Sequence, residues 1–316
     1  MSSVDTQLHA ALARALSGVP HQELRRRVTA LSKRYRTEQI TDTTPGISDP
    51  LDALAYAVTR MPATFRALHA ALTEAERRVD SSFATHLDLG GGTGAAAWAA
   101  AALWPAIRTE IIERQSAAIH LGRQLAIDGP RAKWTAGDLR DWSPHDRVDL
   151  ITIGYVLNEL TEDARRALIQ TAARTATTVV LVEPGTPCGH RRTLAARDLL
   201  IEQGFRIAAP CPHAGPCPVD WCHFAARLPR TELHRGLKNG TRNFEDEKFA
   251  YLVATRCPAR PAPARVVRRP VHPKNRIVLD LCTSAGTAEQ IVVPKSAATY
   301  RAARHTTWGD AWPPPS

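Results

Sequence analysis

The chain has 316 residues, a formal net charge of +10 at neutral pH and 44% hydrophobic residues, which is enough apolar material for one large or two modest domains. No run of about 18 apolar residues occurs, which argues against a membrane-spanning helix. Residues 1–5 lack the basic and then apolar pattern of a secretory signal. We therefore expect a cytoplasmic protein without a membrane partner.

The positive charge is concentrated in the C-terminal third. Residues 221–316 hold 16 basic and 7 acidic side chains, so the rest of the chain is nearly neutral. A basic block of this kind usually contacts phosphate, most often in a nucleic acid, and otherwise forms a solvated face.

Residues 1–80 are predicted to form a helical cap. Leucines from Leu8 to Leu16 share one helical face, and Pro20 separates them from a second helix. A break at residues 43–46 precedes further helix, and Pro62 is expected to start another. The basic side chains on this cap form a solvated helix face or an RNA contact: Arg25, Arg26, Arg27, Lys33, Arg34 and Arg36.

Residues 85–103 have the pattern that opens the ligand site of a doubly wound α/β sheet. A short apolar strand contains the acid Asp88, and a loop with alternating glycines, Gly90, Gly92 and Gly94, leads into an alanine-rich helix. Glycines let a ligand approach the backbone, and the helix start offers free N–H groups. We expect a small polar ligand here.

Two cofactors fit this loop, and a purely structural glycine turn is a third interpretation. Gly90, Gly92 and Ala95 match the G-x-G-x-x-A pattern of dinucleotide-binding proteins, with Glu113 at the expected distance. The fuller pattern, an acid followed by three alternating glycines, resembles the first motif of class I methyltransferases, which bind S-adenosylmethionine. We favour the methyltransferase interpretation.

The following elements fit the methyltransferase order. In that family the acid after the second strand, here Glu113, binds the ribose, and the acid after the third strand, here Asp138, holds the adenine amino group. Strands are predicted at residues 107–112, 134–136, 148–155 and 178–182.

Polar side chains follow the fourth and fifth strands, where the carboxyl edge of the sheet would face a substrate. Tyr155, Asn158 and Glu159 are candidates for positioning a methyl acceptor, with helix capping and core packing as the alternative. Glu183 is also expected to point into this cleft. The Asn/Asp-Pro-Pro-Tyr/Phe signature of amino-methylating enzymes is absent from the sequence.

Three of the six cysteines, Cys211, Cys217 and Cys222, lie within twelve residues. Without a secretory signal, clustered cysteines favour a metal site over disulfides. Their C-x5-C-x4-C spacing differs from the closer pairs of a zinc ribbon. A proline-stiffened loop of thiolates suits an iron–sulfur cluster, while zinc and free buried thiols are the alternatives.

A fourth ligand must come from elsewhere in the chain. Cys282 ends a strand-like run, which is a rigid position for a ligand, and Cys257 follows another predicted strand and competes with it. His213 and His223 would suit zinc.

The basic C-terminal block contains an arm and a hairpin. The proline- and arginine-rich residues 258–273 are expected to be an exposed arm that contacts an RNA backbone, or a simple linker. Residues 277–282 and 290–293 are predicted to pair as a β-hairpin. The tail offers phosphate-binding and base-stacking groups: Lys295, Tyr300, Arg301, Arg304 and Trp308.

Several segments together resemble the Rsm-type family of small-ribosomal-subunit methyltransferase-like proteins of bacteria and mitochondria. They are Glu183–Pro187, Pro210–Pro218, Asp220–Phe224, Glu245–Val253 and Trp308–Asp310. The resemblance implies a class I methyltransferase fold, a 4Fe–4S cluster, and the small ribosomal subunit and its rRNA as partners. Carried over by position, it implies the cluster ligands Cys211, Cys217, Cys222 and Cys282, with Cys188 and Cys257 spare.

The expected α/β fold has three parts. They are a helical cap (1–80), a seven-stranded, Rossmann-like class I methyltransferase domain (81–256) with a cysteine-rich metal insertion (208–245), and a basic β-rich extension (257–316) that completes the metal site. We expect a small-ribosomal-subunit factor of the methyltransferase superfamily that binds S-adenosylmethionine and rRNA, acts in ribosome assembly or translation, and is monomeric when free. If it is an enzyme, it is predicted to be an rRNA methyltransferase. Because many members of the family look like binding factors, a non-catalytic assembly factor is the alternative, and an NAD-dependent redox enzyme ranks last.

Overall fold

The computed structural model of the protein describes residues 3–36, 47–143, 146–230 and 242–314. The predicted break at 43–46 and the side chains of Lys33, Arg34 and Arg36 lie outside what is described. Among the described helices, none is long and apolar enough to cross a membrane.

The N-terminal helices are α1 (Ser3–Ala15), α2 (His21–Arg36) and α3 (Pro50–Arg78). Helix α3 begins where the Asp49 side chain accepts hydrogen bonds from two backbone amides, as an N-cap should. The expected helix start at Pro62 is wrong, because Pro62 lies inside α3. One proline removes one backbone hydrogen bond, and burial of α3 from Ala53 to Ala75 against its neighbours holds the helix together.

The main sheet is mixed: the first five strands in the chain run parallel to one another, and a later strand is antiparallel to the fifth. Among the described residues, a connecting helix follows every parallel strand except the third, and both faces of the sheet are covered. The connecting helices are α4 (Ala95–Leu103), α5 (Ser116–Leu125), α6 (Glu162–Thr175) and α7 (Pro187–Glu202). The first strands are β1 (Thr85–Leu89), β2 (Arg108–Glu113), β3 (Ala132–Ala136), β4 (Val148–Gly154) and β5 (Ala176–Pro184).

In the described part of the chain the main sheet has eight strands rather than the predicted seven. Strand β8 (Phe244–Thr255) is long enough to pair with two strands along one edge. Strand β6 (Arg206–Ala209) pairs with its C-terminal end, and β7 (Phe224–Pro229) pairs with its N-terminal half. The order across the sheet is β3-β2-β1-β4-β5-β8-β6, with β7 beside the other half of β8. The segment that contains Cys211, Cys217 and Cys222 (residues 210–223, the cysteine segment) therefore connects two strands of the same edge, which fixes both of its ends.

A second, antiparallel sheet is formed by the C-terminal strands β9 (Ala264–Val266), β10 (Arg276–Thr283), β11 (Ala288–Pro294) and β12 (Ala311–Trp312). Its order is β11-β10-β9-β12. The predicted hairpin is present as β10 and β11, with Cys282 opposite Ala288. Helix α8 (Tyr300–His305) lies between β11 and β12 in the chain.

The expectation of an exposed arm at 258–273 is wrong at its centre. Strand β9 is an interior strand of the second sheet, and Arg265 on it is 1% exposed. A buried arginine is tolerated where all its donors are engaged, and Arg265 bonds to Glu74 and to two carbonyl oxygens. In the tail, Tyr300 packs against the core of the second sheet, and Trp308 lies edge-on to His223 with ring centroids 4.7 Å apart.

Candidate functional sites: a glycine-loop pocket and a cysteine-lined cavity

The glycine loop needs its glycines for two different reasons. Gly90, Gly92 and Gly94 have φ values of +70°, +54° and +92°, a region that disfavours other residues. A Cβ at Gly90 would lie 2.7 Å from a methyl of Val156, and one at Gly94 would lie 2.8 Å from the ring of Trp134. A Cβ at Gly92 would have no described atom within 4 Å. The loop is therefore packed at both ends and open at Gly92, where a ligand can approach.

Asp88 lies beneath the glycine loop and is only 2% exposed. Its Oδ1 accepts a hydrogen bond from the Thr152 hydroxyl at 2.6 Å, and its Oδ2 has no hydrogen-bond partner among the residues described. Burial raises the pKa of this carboxyl to about 7. A buried oxygen without a partner is costly, so Asp88 offers a free acceptor to a ligand.

Glu113 ends β2 at the edge of the same loop. Its Oε2 accepts from the Gly92 amide at 2.9 Å, and its Oε1 accepts from the Gln115 amide at 2.8 Å. Burial raises the pKa of Glu113, although these amides oppose that effect. The carboxylate thus fixes the loop and keeps lone pairs for a ligand hydroxyl.

Asp138, after β3, lines the same cavity as Glu113. It accepts two hydrogen bonds from the Arg140 guanidinium, at 3.0 and 2.6 Å. These bonds lower the pKa of Asp138 to about 2, so the side chain is a carboxylate at neutral pH.

The three residues predicted to position an acceptor have different surroundings. Tyr155 lies in the cavity at φ +61°, and its hydroxyl donates to Glu247 at 3.0 Å. Glu159 lines the same cavity, where burial raises its pKa to about 7. Asn158 is absent from the residues that line the cavity, and its Oδ1 is buried without a described partner. The structure brings Tyr155 and Glu159, but not Asn158, to the glycine loop.

Glu183 does not point into the cleft, contrary to expectation. It is 0% exposed, and it accepts hydrogen bonds from Arg192 Nε at 2.6 Å and from the Leu157 amide at 3.1 Å. A buried carboxylate needs such partners, and the arginine is supplied by the first turns of α7. Glu183 therefore has a structural role.

Two small cavities bracket the glycine loop. The cavity with Glu113 and Asp138 has a volume of about 90 Å³, and the one with Asp88 has a volume of about 40 Å³. Tyr56 from α3 lines both. The sequence reasoning missed Tyr56, because nothing local marks which face of a cap helix meets the loop.

Four of the six cysteines line one other cavity, of about 30 Å³: Cys211, Cys217, Cys222 and Cys282. Cys282 arrives there on β10, whose pairing with β9 fixes its position. Cys257 packs against the main core and Cys188 lines a separate groove between α6 and α7. The geometry thus selects Cys282 rather than Cys257 as the neighbour of the cysteine segment.

Two histidines also reach this cavity. His213 Nε2 lies 3.4 Å from Cys282 Sγ, and His190 Nε2 lies 3.9 Å from Cys217 Sγ. The sequence reasoning also missed His190, which comes from α7. His223, the other histidine weighed as a zinc ligand, stacks on Trp221 instead and does not line the cavity.

The cysteines and histidines at this cysteine cavity are residue types that bind metals, but their donor atoms do not converge on one point. In residues 3–36, 47–143, 146–230 and 242–314, no three His, Cys, Asp or Glu side chains are grouped so that they could hold a metal ion. Burial raises the pKa of Cys211, Cys222 and Cys282. Four thiols around one cavity nevertheless fit the donor set of a tetrathiolate metal centre.

A family model described as "Mitochondrial small ribosomal subunit Rsm22" matches residues 50–313. The chain belongs to this family. The match spans α3, the main sheet, the cysteine segment and the second sheet, so it covers both candidate sites.

Two curated relatives are mitochondrial proteins. The human protein described as "Ribosome assembly protein METTL17, mitochondrial" is 29% identical over 294 residues, which cover 83% of this chain and 62% of the relative. The Schizosaccharomyces pombe "Rsm22-cox11 tandem protein 2, mitochondrial" is 25% identical, with 86% of this chain and 44% of the relative covered. The chain thus spans less than two thirds of the length of either relative.

These comparisons contradict the cytoplasmic location expected from the sequence, because the family and both relatives are described as mitochondrial. The expectation rested on the absence of a secretory signal, and that absence does not distinguish a cytoplasmic protein from a mitochondrial one.

Solved structures similar to this chain include two methyltransferases. NodS, an N-methyltransferase from Bradyrhizobium japonicum, has a TM-score of 0.43 and 16% identity, with 62% of this chain and 97% of that chain covered. The glycopeptide N-methyltransferase MtfA has a TM-score of 0.40 and 13% identity, with 60% and 90% covered. Both scores are below 0.5, so the assignment of a mixed, Rossmann-like methyltransferase sheet rests on the strand order and the family.

Proposed function

We propose that this protein binds the small ribosomal subunit and its rRNA and acts in the assembly of that subunit. The family match over residues 50–313 carries the proposal, and the human relative is described as a ribosome assembly protein. The basic C-terminal part supports an RNA contact, because several of its charges are exposed: Arg260, Arg269, Arg276, Lys295, Arg301 and Arg304. We expect the free protein to be a monomer.

Sedimentation with purified small subunits tests this proposal. The protein should co-sediment with them, and binding should weaken steeply as salt rises, because phosphate contacts release counterions. An Arg301→Ala/Arg304→Ala double variant should reduce binding, whereas the matched Arg14→Ala variant on α1 should not. Equal binding to large and small subunits, or binding that is insensitive to salt, would refute the assignment.

We further propose that the glycine-loop pocket binds S-adenosylmethionine. That cofactor supplies an electrophilic methyl group. Glu113 would accept hydrogen bonds from the ribose hydroxyls and Asp138 from the adenine amino group, and Asp88 Oδ2 would be a further acceptor for the cofactor. Typical ligand pockets enclose roughly 300–1,000 Å³, which is more than the two small cavities hold together. Tyr56 lines both cavities and would contact a ligand that fills them.

This pocket has two candidate roles: methyl transfer from the bound cofactor, and cofactor binding without methyl transfer. For methyl transfer, Tyr155 and Glu159 would position the acceptor, whereas Asn158 does not line the cavity. One observation favours the non-catalytic role: the Tyr155 hydroxyl is bonded to Glu247, which also pairs with Arg60 at 3.3 Å. The hydroxyl is thus held in a network within the fold.

Two measurements separate these roles. Isothermal titration with S-adenosylmethionine should give binding that Gly92→Val abolishes, because a side chain there would fill the open face of the loop. Transfer of labelled methyl groups to immature small subunits would establish catalysis. Binding without transfer would establish the non-catalytic role, and absence of binding would refute the cofactor assignment.

We also propose that Cys211, Cys217, Cys222 and Cys282 hold a 4Fe–4S cluster, with zinc as the alternative. Such a centre would join the cysteine segment of the main sheet to β10 of the second sheet, and binding that joins separate segments orders them together. Iron, sulfide and zinc should be measured after purification without oxygen. Cys282→Ala should lose the metal and Cys257→Ala should retain it. Equal metal content in the two variants would refute the ligand assignment.

A further inference from the structure

Two buried arginines face the cysteine cavity from opposite parts of the fold. Arg197, on α7, is 3% exposed, and Arg265, on β9, is 1% exposed. Both line the cavity together with the four cysteines. Neither position is expected from the sequence, because arginines are rarely this buried.

Arg265 holds the chain just before Cys211. Its Nε donates to the Pro210 carbonyl at 3.1 Å, its Nη1 to the Gly309 carbonyl at 2.8 Å and its Nη2 to Glu74 at 2.7 Å. Arg265 is also directly opposite Cys282 in the pairing of β9 with β10. Opposite residues of an antiparallel pair share one face, so the charge of Arg265 lies beside Cys282.

Arg197 holds the chain just after Cys211. Its Nη2 donates to the carbonyls of His213 and Gly215, at 3.2 and 2.7 Å. Its Nη1 pairs with Asp198, which is 64% exposed, so water screens that partner more than it screens the cavity. The two arginines therefore fix residues 210–215 from both sides, using side chains of α7 and β9.

We propose that Arg197 and Arg265 are positioning residues for the cysteine site, which give it two permanent positive charges and fix the loop that carries Cys211. The inference rests on the proposed metal site. A divalent metal, or an oxidised 4Fe–4S core, together with four thiolate ligands has a net charge of about −2. Buried guanidinium groups offset such a charge strongly, because the interior screens little. Glu74 forms an ion pair with Arg265 and partly neutralises its charge, and Arg78 also forms an ion pair with Glu74.

Cobalt titration of the metal-free, reduced protein tests this inference independently of the native metal. Co²⁺ bound to thiolates gives charge-transfer absorption, from which an affinity is obtained. Arg197→Met and Arg265→Met should each weaken Co²⁺ binding at least about tenfold, the scale known for residues that support metal ligands. Arg197→Lys and Arg265→Lys keep the charge and should recover part of that loss. The matched control is Arg14→Met, because the Arg14 side chain is 56% exposed and does not line the cavity.

The outcomes are distinct. Unchanged Co²⁺ affinity in the Met variants, or no thiolate absorption in the wild type, would overturn the inference. Lysine variants that bind as weakly as the Met variants would overturn its charge component. If a Met variant does not fold by circular dichroism, the lysine variant of that position decides. A wild type that binds Co²⁺ but contains neither iron nor zinc when purified without oxygen would refute the native metal and leave the arginine roles to be decided by the same titrations.

Discussion

Replacing Asp88 by Asn should stabilise the protein at neutral pH and flatten the pH dependence of its stability. The carboxyl is 2% exposed and burial raises its pKa from 3.8 to about 7. Between about pH 4 and pH 7 the unfolded chain has lost this proton while the folded chain still holds it. The free energy of unfolding therefore falls as the pH rises through this window.

The magnitude follows from the two pKa values. A difference of about three pH units corresponds to about 4 kcal/mol, at 1.36 kcal/mol per unit. The amide side chain of the Asp88→Asn variant is neutral at every pH and keeps an oxygen that can accept from Thr152. The free energy of unfolding of the variant, minus that of the wild type, should therefore rise by up to about 4 kcal/mol between pH 4 and pH 7 and stay constant above.

Urea unfolding at pH 4.5, 5.5, 6.5 and 7.5, followed by circular dichroism, measures this difference. Contributions from all other titrating groups cancel in the subtraction, provided that unfolding is two-state. Asp128→Asn is the control, because the Asp128 side chain is 74% exposed, and it should change little. A difference for Asp88→Asn that is constant or falls with pH would show that this carboxylate is ionised and solvated in the folded protein.

Three further predictions concern stability. Arg192→Met should lower the free energy of unfolding by about 3–5 kcal/mol in denaturant titrations, because it leaves the buried carboxylate of Glu183 without its ion-pair partner; a loss below about 1 kcal/mol would contradict this role. Gly94→Ala should lower the melting temperature, because its φ is +92° and its Cβ would lie 2.8 Å from Trp134; an unchanged melting temperature would refute this. Burial alone would raise the pKa of Asp149, but hydrogen bonds from two backbone amides at the start of β1 contribute to a net lowering. The ionised Asp149 side chain therefore stabilises the folded protein at neutral pH, and this contribution is lost as the pH falls through the folded pKa. Asp149→Asn should lower the free energy of unfolding at pH 7 but not in acid, and equal losses at both pH values would contradict this prediction.

The sequence alone determined the features that local pattern encodes. Alternating glycines after an acid predict a strand, a loop and a helix, because only glycine accepts positive φ there without cost. Apolar runs spaced by helices predict a parallel sheet, and the observed order of β1 to β5 agrees. The hairpin of β10 and β11 was found in the same way, since two apolar runs flank a short polar turn.

Tertiary structure decided which charged and thiol side chains are buried, and against what. Arg265 occurs in a proline-rich stretch that suggests an exposed arm, yet its ion-pair partner Glu74 lies 191 residues earlier in the chain. Cys282 lies near the end of β10 and Cys257 follows β8, and only the pairing of β9 with β10 brings one of them to the cavity. The cost of burying a charge or a polar atom depends on its partners in space, and a linear pattern does not contain them.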